Sequence, residues 1–379
     1  MLVSLVMVAV LLGAAGGPAA SAADIRIPTG GLDIGWSVLR TSSGTYAITM
    51  AARKRKVQIR TSRLTAAGPA AGPALTISPD GPLVGSVSED GSAPCLGTSV
   101  KQSPFVACIQ DGAWVERRFT GANRTRTLID IDRFGGSLYA YLLDGDFGAF
   151  DGKHPEKVRL SESLVRWDGS AWVPVIPSYV LSLRQFSQPL PCQELLAVIC
   201  PAPLVVTGST TSDKFIVRQL SGATWAADAR TFAMTKADYT LGSPMGLGAT
   251  LAVPVGSGRG HRASLSVLTD SSAPKLIRIA TITSTYSVAY LTAAAGRPWV
   301  SWVDYDYADK KETRGDEVAH VAPLDLVAGT VGPSTEVLNK SFKRYPGRVE
   351  VVDVDGAAYA ASITSAAADT LVLSPLAAP

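Results

Sequence analysis

Short runs of alternating apolar and polar residues, each opened by a turn residue, recur along the chain. Seven stand out: Gly44-Thr-Tyr-Ala-Ile-Thr-Met, Pro104-Phe-Val-Ala-Cys-Ile, Gly136-Ser-Leu-Tyr-Ala-Tyr-Leu, Glu194-Leu-Leu-Ala-Val-Ile-Cys, Gly248-Ala-Thr-Leu-Ala-Val-Pro, Gly296-Arg-Pro-Trp-Val-Ser-Trp-Val and Gly356-Ala-Ala-Tyr-Ala-Ala-Ser-Ile. A period of two over so few residues, with small and large side chains mixed, predicts buried β-strands. An upstream strand precedes many copies, as in Thr127-Leu-Ile-Asp-Ile-Asp132 and Arg348-Val-Glu-Val-Val-Asp-Val-Asp355. A further strand often follows, and then a tight turn ending in tryptophan: Asp111-Gly-Ala-Trp114, Trp167-Asp168-Gly-Ser-Ala-Trp172 and Ser221-Gly-Ala-Thr-Trp225. The Asp-Gly or Ser-Gly pair supplies the positive φ such a hairpin needs, and the indole packs beside it.

The unit is therefore three or four antiparallel strands over roughly 50 residues, the size of a β-propeller blade. An all-β propeller of about seven blades is predicted, with six as the alternative count and a pair of packed β-sandwiches as the rival architecture. No convincing amphipathic helix interrupts the pattern. Leu190 to Val198 comes nearest, but Pro189, Pro191 and Pro201 surround it, so strand is the better reading. Ala23-Asp-Ile-Arg-Ile-Pro28 is expected to pair with Thr370-Leu-Val-Leu-Ser and close an open edge.

The Asp-Gly-x-x-Trp hairpins resemble degenerate Asp-boxes of the sialidase-like β-propellers, where a Ser-x-Asp-x-Gly-x-x-Trp turn recurs in successive blades. Here the leading Ser is absent and the Asp-to-Trp spacing is shorter or shifted. The resemblance implies the fold. A sialidase also needs clustered arginines for the substrate carboxylate, with a tyrosine nucleophile and its acidic partner. The arginines of this chain are scattered, so that catalytic set does not carry over.

The N-terminal pattern differs from the rest. An apolar run from Leu2 to Leu12, then glycines and a proline, then Ala20-Ser21-Ala22, has the layout of a secretory signal peptide. The run is too short to span a bilayer. Residues 1–22 are thus expected to be a signal peptide and 23–379 a single propeller domain, secreted or held outside the cytoplasmic membrane, without a later membrane span.

Export changes the reading of the four cysteines, because bridges persist in oxidising compartments. Two local pairs are expected, Cys95 with Cys108 and Cys192 with Cys200, each flanking a hairpin; buried free thiols are the alternative. Neither spacing is a zinc pattern. With 35 Lys plus Arg against 32 Asp plus Glu, the net charge of +3 is too weak a field to suggest nucleic acid.

Candidate chemistry lies in polar insertions: Arg53 to Lys56, Asp144 to Lys157, Gly256 to His261, and Asp304 to Glu317. In a regular repeat these would emerge on one rim. Asp304, Tyr305, Asp306, Tyr307, Arg259 and His261 are the candidate binding residues there. Asp144, Asp146 and Asp151 offer oxygen ligands for calcium, against the default of a solvated turn; no other cofactor is suggested. Arg53 to Lys56 with Arg60 and Arg63 would suit an anionic polymer if they face one way. No nucleophile elbow, phosphate loop, zinc helix or dinucleotide fingerprint occurs. The favoured expectation is a monomeric, non-catalytic secreted propeller binding an extracytoplasmic protein or glycan through a loop-lined face. The alternatives are a glycan-active hydrolase or lyase using Asp144, Asp304 or Asp306, and a structural component of an envelope or matrix.

Overall fold

The computed structural model describes residues 23–29, 32–53, 56–65, 67–80, 83–88, 90–101, 103–120, 126–134, 136–145, 159–182, 199–200, 204–209, 214–221, 224–225, 230–233, 238–240, 245–247, 250–259, 262–269, 276–282, 288–307, 314–343, 348–363 and 370–377. The expected signal peptide lies outside them.

The described strands form seven antiparallel sheets. In the first, Leu32–Thr41, Gly44–Arg53, Lys56–Thr65 and Gly68–Ile77 pair in chain order. The second is built from Val84–Val87, Pro94–Val100, Ser103–Gln110 and Ala113–Glu116. The third uses Arg126–Phe134, Ser137–Gly145, Arg159–Trp167 and Trp172–Ser182. The fourth spans 199–233, the fifth 238–282 and the sixth 288–343, each with a fifth short strand beside the same meander. The seventh takes Val349–Val354, Ala357–Ile363 and Thr370–Pro375, and its fourth strand is Ile25–Pro28 from the other end of the chain. Ile25 pairs with Leu373 and Ile27 with Leu371, so the expected closing strand is present.

Sheet packs on sheet, and the cores lie between neighbours. Ile48, Met50 and Ile59 of the first sheet meet Leu96 of the second. Cys95, Val106 and Cys108 of the second meet Leu128, Ile131 and Leu138 of the third. Trp36, Ala47 and Leu64 meet Val352, Tyr359 and Leu371 across the first and seventh sheets. The first strands of the sixth and seventh sheets approach one another, as do those of the seventh and first, the first and second, and the second and third. The sheets are therefore arranged in a ring with first strands inward, the layout that alternating strands with two apolar faces demand.

Two of the seven repeated runs were out of register. Five are second strands, but Pro104 to Ile109 lies in a third strand, and the run ending in Cys200 leads into a first strand with 194–198 outside the described residues. The second strands begin at 44, 94, 137, 204, 250, 297 and 357, a more even spacing than the sequence runs implied. In the second sheet the true second strand, Pro94-Cys-Leu-Gly-Thr-Ser-Val, lacks the aromatics carried by the second strands of the first, third, sixth and seventh sheets. Gly97 there lies against Leu128 of the next sheet, where a Cβ would collide with the leucine methyl.

Cys95 and Cys108 are directly paired across two strands and form a disulfide, with Cα atoms 4.0 Å apart. Cys200 lies in the strand Ile199–Cys200, whereas Cys192 lies outside the described residues. The tryptophan-ended hairpins form as expected. Asp111 and Gly112 both take positive φ, 50° and 75°, and Gly169 takes 101°. The Asp168 carboxylate accepts from Ser170 N (2.8 Å), Ala171 N (2.7 Å) and Ser170 Oγ (3.0 Å), which lowers its pKa. The Trp172 indole stacks on Phe119 at 4.6 Å and donates to the Arg117 carbonyl at 3.0 Å.

Candidate functional site: the face of the second-to-third connections

Four polar insertions join equivalent strands. Residues 53–56, 145–159, 259–262 and 307–314 each link the second strand of a sheet to its third. Equivalent connections in a ring of like sheets leave at the same end. The insertions themselves are shorter than expected. Asp304 to Tyr307 are strand residues, with Asp304 opposite Val318, Tyr305 opposite Glu317, Asp306 opposite Asp316 and Tyr307 opposite Gly315. The alternation of polar and aromatic residues there fits a strand as well as a loop, which is why the pattern did not separate them. Arg259 ends a strand and pairs with Arg262, while His261 lies outside the described residues. Asp144 is likewise in a strand, opposite Ser161; Asp146 and Asp151 are outside the described residues.

The basic cluster from Arg53 to Arg63 divides. Lys56 begins its strand at this end, whereas Arg63 lies near the strand's other end, opposite Tyr46. Among the described residues, no group of three or more His, Cys, Asp or Glu is placed to hold a metal ion. No helix among them is long and apolar enough to cross a membrane.

The same end contains a constellation that the sequence did not signal. Arg348, just before the first strand of the seventh sheet, places its guanidinium 4.9 Å from the ring centre of Trp36 and 5.0 Å from that of Tyr290. These rings come from the first strands of the first and sixth sheets. Arg348 Nη1 donates to the Trp36 carbonyl at 3.3 Å and Nε donates to Glu350 at 2.6 Å, with a further ion pair between the same side chains. Ser301, paired with Tyr290, donates to the Val349 carbonyl at 2.8 Å and fixes where the seventh sheet begins.

Trp36 is buried, and the Arg348 side chain is 42% exposed, so the guanidinium caps an indole and presents its outer edge to water. Desolvation raises the Tyr290 pKa, with Arg348 opposing and Glu350 adding to it. The phenol thus stays protonated at neutral pH and offers a hydroxyl for hydrogen bonding. A fixed cation, a neutral phenol and a carboxylate already engaged by the cation suit binding and positioning. They do not form an acid–base pair poised for proton transfer.

No family model and no curated protein matches this sequence. Among solved structures, the hydrazine synthase of Kuenenia stuttgartiensis is similar at a TM-score of 0.51 and 11% identity, over 90% of this chain and 95% of that chain. The β-propeller domain of Cps50 (Swd1) from Myceliophteria thermophila is similar at 0.51 and 12% identity, over 94% and 100%. This chain is a β-propeller. Likeness at such identity shows the fold alone, and a sialidase-like propeller is not among these two.

Proposed function

We propose that the chain is an exported, non-catalytic β-propeller that binds an extracytoplasmic protein or glycan on the face of its second-to-third connections. On this reading residues 1–22 direct export and 23–379 form one propeller. The observation that supports it is the equivalence of the four polar connections: each joins a second strand to a third, so their acidic and basic residues are expected at one end of the sheets. Arg348 and Tyr290 add a fixed donor set there. The Cys95–Cys108 disulfide supports an oxidising compartment. The finer kinship with sialidase-like propellers rests on the Asp168 turn and its anchored Trp172.

The test is a binding screen of the chain from Ala23 onward against extracytoplasmic proteins and a glycan array, with and without calcium. Replacing residues 308–313, which join the two paired strands, by a short Gly-Ser turn, in a variant whose thermal midpoint is retained, is expected to weaken the leading interaction at least about tenfold. Unchanged binding would remove the rim from the reading. Glycan cleavage abolished by Asp304→Asn or Asp306→Asn would replace binding by hydrolysis.

A further inference from the structure

A concave surface lies at the end opposite the rim, between the first and second sheets. It is a cleft of about 710 Å³. One wall comes from the turn after Thr41 and the strands carrying Tyr46 and Arg63; the other comes from the loop 88–93 and the Asp111-Gly112 turn. Its side is the outer strand Gly68–Ile77, where Ala70, Ala71, Gly72 and Pro73 form a small uncharged strip.

The walls are tied together by hydrogen bonds. Ser42 N donates to the Gly91 carbonyl at 2.8 Å, and Gly91 N donates to the Ser88 carbonyl at 2.9 Å. Ser43 Oγ donates to the Ser92 carbonyl and lies 3.1 Å from the Tyr46 hydroxyl. Asp90 Oδ1 accepts from Ser88 Oγ, from Ser92 N at 2.9 Å and from Ser92 Oγ at 2.7 Å. The cleft is therefore built before any ligand arrives, which reduces the ordering cost of binding.

The groups facing the space are complementary in kind. The Arg63 guanidinium lies over Gly44, where a Cβ would come within 2.9 Å of its Nε. No described residue forms an ion pair or hydrogen bond with the Arg63 side chain, so its donors are available to the cleft. Asp111 and Gln110, both exposed, supply acceptors and an amide from the facing wall. Among the described residues of the lining, Arg63 and Arg117 balance Asp90 and Asp111.

We propose that this cleft is a binding site for a neutral saccharide. Vicinal hydroxyls both donate and accept, and match an arginine fork facing a carboxylate and an amide. The C–H face of a pyranose fits the Ala70–Pro73 strip. The cleft's size lies within the roughly 300–1,000 Å³ usual for small-ligand sites. The inference is independent of the rim, which lies at the other end of the sheets.

The experiment is calorimetric titration of the chain from Ala23 onward with cellotetraose, maltotetraose, mannotetraose and chitotetraose, and with oligogalacturonate as the charged comparison. The wild type is expected to bind at least one neutral sugar, and oligogalacturonate no more tightly. Arg63→Ala and Asp111→Asn should each weaken that binding roughly tenfold or more, the loss expected for one charged hydrogen-bonding partner. Arg278→Ala, an exposed residue of the strand Leu276–Ile282 in the fifth sheet and outside both the rim connections and the cleft, should leave it unchanged. The thermal midpoints of the two cleft variants should stay near the wild-type value, because neither side chain is tied to the fold. Binding of none of the neutral sugars, tighter binding of oligogalacturonate, or full affinity in both cleft variants would overturn the proposal.

Discussion

Asp132 is an acid whose surroundings disfavour its charge. It stands on the first strand of the third sheet, accepts from Ser86 Oγ of the second sheet at 3.2 Å and from Arg133 N at 2.7 Å, and is pushed up to about 6 by desolvation. The sign follows from the folded value lying above the ordinary 3.8. Below about pH 4 the carboxyl is neutral in both states and its stabilising contribution is fully present. As pH rises through 6, the folded carboxyl must ionise where water is scarce, and that contribution is lost. Asp132→Asn keeps an acceptor for Ser86 and removes the titration. Relative to wild type, the variant should gain stability between pH 4 and 7.5, up to about 3 kcal/mol for a shift of roughly two units. Urea unfolding of both proteins at the two pH values measures it; a difference that does not change with pH would contradict the assignment. Asp90 behaves oppositely. Hydrogen bonds from Ser88 and Ser92 hold it at about 2, so its contribution is present above the ordinary value and is lost as pH falls through 2.

At the scale of elements, the second sheet combines short strands with a staple. Val84–Val87 and Ala113–Glu116 have only four residues each, and the disulfide joins the two longer strands between them at the register pair Cys95–Cys108. A bridge with a sequence separation of 13 restricts the unfolded chain by about 3 kcal/mol in the chain-entropy model. Because both sulfurs are buried against Leu128 and Leu138, their removal also loosens the core between the second and third sheets. Cys95→Ala with Cys108→Ala should therefore lower unfolding stability by roughly 3–5 kcal/mol, read from urea midpoints at constant m-value. A loss under about 1 kcal/mol would mean that the strand pairing alone holds the sheet. This bridge was legible in the sequence because it links two recognisable strands in a hairpin. The register of its sheet was not, since Pro104-Phe-Val-Ala-Cys-Ile imitates a second strand while the true one is masked by Gly97 and Ser99. The Arg348 cluster was less legible still. Arg348, Trp36 and Tyr290 are separated by long stretches of chain and meet only because the ring closes, so no local spacing marks them.

For the whole molecule, the decisive contact is the one that joins the chain's two ends in a single sheet. Residues 25–28 supply the outer strand of the seventh sheet, with Ile25 and Ile27 packed among Leu371, Leu373, Trp36 and Val352. That same core joins the seventh sheet to the first. A further tie is Asp353, which accepts from Arg40 Nη1 at 3.0 Å, Ala295 N at 2.9 Å and Gly356 N at 2.9 Å, linking the first, sixth and seventh sheets at the end opposite the rim. Closure is thus made by both apolar and polar contacts, and the apolar one depends on the terminal strand. Ile27→Ala leaves the strand's backbone pairing intact and removes a fully buried side chain, which should cost roughly 2–4 kcal/mol. Removing residues 23–28 goes further, because it also uncovers the backbone edge of Thr370–Pro375, an available template for a strand from another copy. The shortened chain should unfold at a lower temperature than Ile27→Ala and self-associate with rising concentration, while Ile27→Ala remains monomeric. Calorimetry and sedimentation velocity of the two variants beside the chain from Ala23 separate the effects. Equal midpoints and no association in the shortened chain would show that the Asp353 contacts suffice to close the ring; the expected order would place closure in the strand itself.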